Sequence, residues 1–223
     1  MVEYKVAQEK RRFRQIVMSI IFILVLAGGW IWPLLGYFVP FCMLIGMAIG
    51  IFRGRKWCDW LCPRGSFFDL AIKPLSPQTE IPKIFRSNKF KIFVLVLLML
   101  ILTSNIISRW PDPYLVGKFF VIMLSVTTAL GIILGLIFHQ RIWCFICPVG
   151  SLSGWLGGWR KLLKAIPELC NECQLCAKAC PMQNNPAEQK KRLQDDAKEV
   201  ACIKCDLCVK ICPNQALVRE GKK

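Results

Sequence analysis

Residues 15 to 52 form an uninterrupted run without a single charged side chain. Nothing else in the chain limits the fold as much. Two further uncharged stretches, Ile92 to Ser108 and Phe119 to Phe138, follow it. Each approaches the ~20 residues an apolar helix needs to cross a hydrocarbon core. The first run is too long for one ordinary span and contains Trp30-Ile31-Trp32-Pro33 near its middle. The sequence therefore predicts two spans there, Gln15 to Ile31 and Leu35 to Phe52, with Pro33 ending the first helix and the indoles at the interface. The total is four retained spans. A cleaved signal peptide fits less well, because no small-residue cleavage site followed by polar chain appears after the first apolar run.

The net charge of +16 belongs with these spans. Basic residues gather at Lys10 to Arg14, at Arg53, Arg55, Lys56 and Arg64, at Lys83 to Lys91, and at Arg141, Arg160, Lys161 and Lys164, whereas the opposite side holds only Arg109 and Lys118. The positive-inside rule then places both termini on the cytoplasmic face of a multi-pass inner-membrane protein. Basic residues at every helix end, rather than in one stripe, argue against nucleic-acid binding.

Thirteen cysteines are present, eight of them in two runs: Cys170-x2-Cys173-x2-Cys176-x3-Cys180-Pro and Cys202-x2-Cys205-x2-Cys208-x3-Cys212-Pro. This is the spacing of a bacterial ferredoxin with two [4Fe–4S] clusters, in which the fourth cysteine of each run serves the other cluster. Cluster I is expected on Cys170, Cys173, Cys176 and Cys212, and cluster II on Cys202, Cys205, Cys208 and Cys180. Their iron is the expected metal and their role is conduction. The intervening segment, Glu188 to Glu199, reads as a short exposed helix, and the tail after Pro213 as frayed.

A second repeat is coarser. Residues 57–70 read WCDWLCPRGSFFDL and residues 143–156 read WCFICPVGSLSGWL. Each follows a pair of spans, so both lie on one membrane face, and loops at the membrane surface are expected. Cys58, Cys62, Cys144 and Cys147 make four thiolates, enough for a third [4Fe–4S] cluster. Other chemistries also suit four thiols: structural Zn²⁺, a redox dithiol, or a soft ion such as Cu(I). Cys42, alone in the second span, reads as a small apolar side chain.

The fold class expected is thus an α-helical membrane protein. Residues 1–164 carry four spans as two parallel hairpin repeats, with Cys-Pro loops at 57–65 and 143–151, and residues 165–223 carry a double-cubane ferredoxin domain. Neither a dinucleotide motif nor a haem-attachment motif is present. A lipid-soluble quinone is the economical mobile substrate. His139 is the sole histidine; it is the candidate proton acceptor beside the second loop. Across the membrane, Ser108 to Tyr114 forms the one polar loop with several candidate groups, where Arg109 and Asp112 can pair or contact an outer partner.

On these loops and cysteine runs, the chain resembles membrane-bound polyferredoxins of the NapH type, whose core recurs in NosR-like and CcoG-like proteins. The second loop departs by one residue from the usual Cys-x3-Cys-Pro. The resemblance implies the electron-transfer subunit of a quinol dehydrogenase complex in anaerobic respiration, with cytochrome, ferredoxin or reductase subunits as partners. Its CcoG branch implies an alternative, a factor handling Cu(I) for metalloenzyme assembly or redox maintenance.

Overall fold

The computed structural model describes residues 2–157, 163–186 and 201–219. Helix α1 (Val2–Ile31) runs from the polar N-terminus straight into the first apolar stretch. Pro33 then opens a 3₁₀ turn (Pro33–Tyr37), and α2 (Phe38–Arg53) returns. Pro40 falls in the first turn of α2, where a missing N–H costs no hydrogen bond. The second pair is α6 (Asn88–Arg109) and α7 (Pro113–Ile137). Between them, Asp112 caps α7 by accepting from Tyr114 N at 2.9 Å. The expected Arg109–Asp112 pairing does not form: Arg109 bonds Asn105 and lies over the Phe119 ring at 5.2 Å. Among the described residues, four helices are long and apolar enough to cross a membrane.

The segments after α2 and α7 break into short helices. The first gives α3 (Lys56–Trp60), α4 (Pro63–Phe67) and a π turn at Phe68–Ile72, leading to α5 (Lys83–Arg86). The second gives α8 (Trp143–Ile146) and α9 (Pro148–Gly157). In both, one short helix stops just before Cys-Pro and the next begins with the proline at its first position, where its fixed φ suits a helix start.

These segments do not stay at the helix ends, contrary to the sequence expectation of surface loops. They fold back between the long helices. Phe67 of α4 meets Phe22 of α1 with ring centroids 5.3 Å apart. Arg64 donates to the Thr127 carbonyl of α7. Thr127 lies ten residues before Ile137, about 15 Å along the axis at 1.5 Å per residue. On the other side α9 lies along α2, where Ser153 Oγ donates to the Gly46 carbonyl at 3.3 Å. Glycines permit the approach: a Cβ on Gly50 would stand 2.6 Å from Ser153 Oγ, and one on Gly157 only 2.0 Å from the Gly50 carbonyl oxygen. Irregular backbone at this depth is tolerated where surrounding protein satisfies its polar groups.

The C-terminal region is mixed α/β. Strand β1 (Leu163–Ala165) pairs antiparallel with β2 (Leu217–Arg219), and α10 (Leu175–Lys178) packs beside α11 (Leu207–Ile211). Pairing with β1 orders residues 217–219, which the sequence left as a frayed tail. The helix expected at Glu188–Glu199 lies outside the described residues. Docking onto the membrane domain is specific. Lys204 Nζ donates to the Gly157 carbonyl at 2.9 Å, Ile81 N to Gln183 Oε1 at 3.0 Å, and Gln183 Nε2 to the Thr79 carbonyl at 2.8 Å.

Candidate metal centres

The eight cysteines of the C-terminal runs surround two separate cavities. Cys170, Cys173, Cys176 and Cys212 line one. Cys202, Cys205, Cys208 and Cys180 line the other. Each cavity thus takes three thiols from one run and the last thiol from the other. The backbone around them is unusual in a regular way. Glu172, Gln174 and Gln183 in and after the first run, and Lys204, Asp206 and Gln215 in and after the second, all have positive φ between 48° and 63°. The three positions are equivalent in the two runs. A left-handed residue beside a right-handed one can form a nest of N–H groups, a backbone arrangement that suits anionic clusters. None of these residues is glycine, so the sequence carried no local signal for them.

The two cavities differ in their surroundings. Cys173 is exposed while Cys208 is buried. Beside the second cavity, Arg219 pairs with Asp206 at 2.5 Å. Burial drives the Cys205 and Cys208 thiols far up in pKa, so that without a metal they stay protonated.

The two Cys-Pro loops bring a third group of thiols together. Cys58, Cys62, Cys144 and Cys147 lie close enough for the charge of one to be felt by the others. Burial pushes the Cys58 thiol up to about 11, against the opposing pull of Arg55, and pushes Cys62 up further. Three arginines wrap this group. Arg55 donates to the Cys144 carbonyl. Arg141 donates to the Cys58 carbonyl at 3.0 Å and reaches Cys144 Sγ at 3.8 Å. Arg64 stacks over the Trp143 ring at 4.6 Å. Arg55 and Arg141 are 1% and 0% exposed. The sequence placed all three among the basic residues that signal topology. In the structure they build the site instead.

One carboxylate locks the assembly. Asp69, from the first loop, accepts from Arg141 Nε at 2.7 Å and Nη2 at 2.5 Å, from Arg11 Nη2 at 2.8 Å and from Gln15 Nε2 at 2.6 Å. Burial alone would raise its pKa, but Arg141 and then Arg11 outweigh it and hold Asp69 at about 2. Arg11 also reaches Asp59 at 2.7 Å. His139 is 2% exposed, and its Nδ1 accepts from Arg141 N at 3.2 Å. Burial lowers its pKa to about 4, which leaves it neutral at pH 7. Cys42 borders the cavity that Cys58, Cys62 and Cys147 line.

Among the described residues, no three His, Cys, Asp or Glu side chains converge as a single metal ion requires. Tetrahedral Zn²⁺ with Zn–S near 2.3 Å would hold its sulfurs about 3.8 Å apart. A cubane keeps its four thiolates farther apart around its own bulk. Cysteine quartets lining shared cavities, with buried guanidinium groups at the loops, are a donor set that suits [4Fe–4S] clusters. Two donors at the loops, Arg64 Nε and Trp143 Nε1, are buried without a hydrogen-bond partner and would suit cluster sulfur.

Comparison with known proteins agrees on the class. Residues 35–92 and 121–167 match a family described as 4Fe-4S binding domain, and residues 162–213 match one described as 4Fe-4S dicluster domain. The chain has membrane-length apolar helices and matches 4Fe-4S-binding domain models. An uncharacterized protein of Methanocaldococcus jannaschii is 29% identical over 68% of this chain and 61% of its own length. The methylamine utilization ferredoxin-type protein MauN of Paracoccus denitrificans is 26% identical over 67% of this chain and 56% of its own. The regulatory protein NosR of Stutzerimonas stutzeri is 29% identical over 57% of this chain but only 20% of its own. The chain thus spans less than two thirds of the length of these relatives. No solved structure matches it.

Proposed function

We propose that this protein is the membrane-anchored electron-transfer subunit of a respiratory complex, passing electrons between the quinone pool and a partner reductase. In this reading Cys170, Cys173, Cys176 and Cys212 hold cluster I, and Cys202, Cys205, Cys208 and Cys180 hold cluster II. Cys58, Cys62, Cys144 and Cys147 hold a third cluster at the loops. Such clusters, when bound, take up and release single electrons without offering an open iron.

The observation that carries the reading is one continuous core. Cys58 and Cys144 of the loops share a hydrophobic cluster with Phe145, Met182 and Ile203, and Cys180 and Cys205 pack against it. The cysteines assigned to cluster II thus lie against the same dry wall as the loop cysteines. Those of cluster I lie beyond, with Cys173 exposed toward any partner. Phe145 and Met182 exclude water from the gap, since both are fully buried. Arg141 and Arg55 hold the loop backbone, and Lys204 fixes the second run to the membrane domain. With the basic helix ends facing inward, the cysteine face is cytoplasmic.

The test is iron and acid-labile sulfide per chain in anaerobically loaded protein. About twelve of each, three cubanes of four, is expected, falling to about eight in Cys58→Ser/Cys144→Ser. Bleaching of the cluster absorbance by a short-chain quinol, without added copper, supports the quinone link. A parent content of eight removes the third cluster, and Cu(I) bound at the loops with no quinol response favours the assembly role.

A further inference from the structure

A larger hollow opens where α1, α2 and α3 meet. It measures about 600 Å³. Among the described residues that line it there is no cysteine, so it stands apart from the loop thiols, although Trp57 borders both spaces. Arg14 of α1, Arg53 at the end of α2 and Lys56 at the start of α3 supply it with three cations, and none of its described lining residues is acidic. Arg14 and Arg53 are exposed, and Lys56 is half-buried. The acid nearest in sequence, Asp59, is turned away from solvent: its side chain is 1% exposed and pairs with Arg11 at 2.7 Å.

The rest of the wall is apolar. Ala48 and Phe52 stand four residues apart on α2, as do Ile49 and Arg53, so the four share one helix face. Ala48 lies five residues before Arg53, about 7.5 Å deeper along the helix. Leu61 lines the hollow from the first loop. Phe52 is 67% exposed and Leu61 38%, so this apolar surface is left uncovered by protein. Arg14 is the last charged residue before the uncharged run at 15–52, and Arg53 is the first after it. The cations therefore mark the membrane boundary, and the apolar wall continues from them into the hydrocarbon.

These two parts together select the ligand. A small water-soluble anion would meet the cations and leave Ile49 and Phe52 bare. A zwitterionic lipid brings a cation of its own, which the three basic residues repel. A phosphate joined to an acyl chain, with no cation beside it, satisfies both parts. Basic pockets between membrane helices suit acidic headgroups, and guanidinium forks match phosphate oxygens. We propose that this hollow binds an anionic phospholipid, its phosphate between Arg14, Arg53 and Lys56 and its first acyl segment along Ala48, Ile49 and Phe52. The assignment is independent of the electron-transfer reading.

The test is native mass spectrometry of the full cluster-loaded chain released from dodecyl maltoside, titrated with dioleoyl phosphatidylglycerol and, separately, dioleoyl phosphatidylcholine. One phosphatidylglycerol per chain is expected, bound at least tenfold more tightly than phosphatidylcholine. Arg14→Gln, Arg53→Gln and Lys56→Gln should each weaken it about fivefold, the worth of one basic residue beside an acidic headgroup. Lys83→Gln and Lys89→Gln, exposed cations outside the hollow, should leave it unchanged. Ala48→Trp keeps every charge, fills the apolar part, and should weaken binding about tenfold or more. Inorganic phosphate in tenfold excess should not displace the lipid. Equal affinity for the two lipids, or equal losses from Lys83→Gln and Lys89→Gln, reduces the effect to general charge attraction and overturns the proposal. Displacement by phosphate makes the hollow a site for a soluble anion and overturns it too, as does unchanged affinity in both Arg53→Gln and Ala48→Trp.

Discussion

Asp69 is the residue whose loss should cost most outside the cysteines. Its carboxylate joins the first loop to the second through Arg141, and both to α1 through Arg11 and Gln15. The Arg141 side chain is 0% exposed and that of Asp69 5%. Removing one partner of such a pair leaves the other charge buried and uncompensated, a loss of about 3–5 kcal/mol. Asp69→Ala should therefore destabilise by roughly that amount, a factor of about 150 to several thousand in the unfolding equilibrium at 1.4 kcal/mol per tenfold. Arg141→Met should do the same. The double replacement Asp69→Leu/Arg141→Met leaves no buried charge from this pair, so it should cost clearly less than the sum of the single changes. The assay is equilibrium unfolding in mixed micelles of mild detergent and dodecyl sulfate, followed by tryptophan fluorescence, in a full double-mutant cycle. Additive losses, or a cost below about 1 kcal/mol for Asp69→Ala, would refute the argument that this carboxylate holds the loops between the helices.

The same pair fixes a pH signature. Asp69 is held at about 2, below the ordinary carboxylate range, so its contribution is complete above the unfolded value near 3.9 and is lost as pH falls toward 2. The stability difference between the parent and Asp69→Asn should be constant from pH 5 to 8 and shrink below about pH 4, as measured on the metal-free chain to avoid acid loss of iron. Gly36 lies against α7, where a Cβ would come within 2.2 Å of the Gly117 carbonyl oxygen. Gly36→Ala should push the 3₁₀ turn off α7 and cost about 1–3 kcal/mol in the same micelle assay. Lys204→Met removes the charged donor to the Gly157 carbonyl, a loss of about 1.5–3 kcal/mol in docking. Faster hydrogen exchange over residues 201–219, with exchange in α6 and α7 unchanged, is the expected result.

The long helices and the two cysteine runs were legible because each follows from a local rule. Charge-free stretches of membrane length can satisfy their backbone only as helices, and the x2, x2, x3 spacing speaks for itself. The crossing of ligands between runs, expected from that spacing, corresponds to two cavities with separate cysteine quartets. What escaped was set by contacts distant in sequence. Arg55, Arg64 and Arg141 carry the same letter as the exposed arginines, and only the fold of the loops makes them interior. Asp59 and Asp69 lie 48 and 58 residues from their partner Arg11. One signal was available: acidic residues inside an otherwise apolar Cys-Pro loop, beside a basic N-terminal helix, ask for buried partners. The proline of each Cys-Pro step, which breaks the preceding helix, also starts the next one. That second role turns the chain back into the bundle.

The depth of the loops changes the problem an electron faces. With surface loops, a quinone reaching the far face would be separated from the first thiols by the full ~30 Å of hydrocarbon. Arg64 meets α7 about 15 Å inside its end, so the loop thiols beside it lie within the depth of the spans. The same burial explains the surrounding arginines. Four thiolates in an apolar setting are costly unless cations share the space, and two of the guanidinium groups bond directly to loop carbonyls. Arg141 and Arg11 are in turn balanced by Asp69 and Asp59. In the proposed electron-transfer role, a charge taken up at a loop cluster would meet fixed cations already oriented in the core.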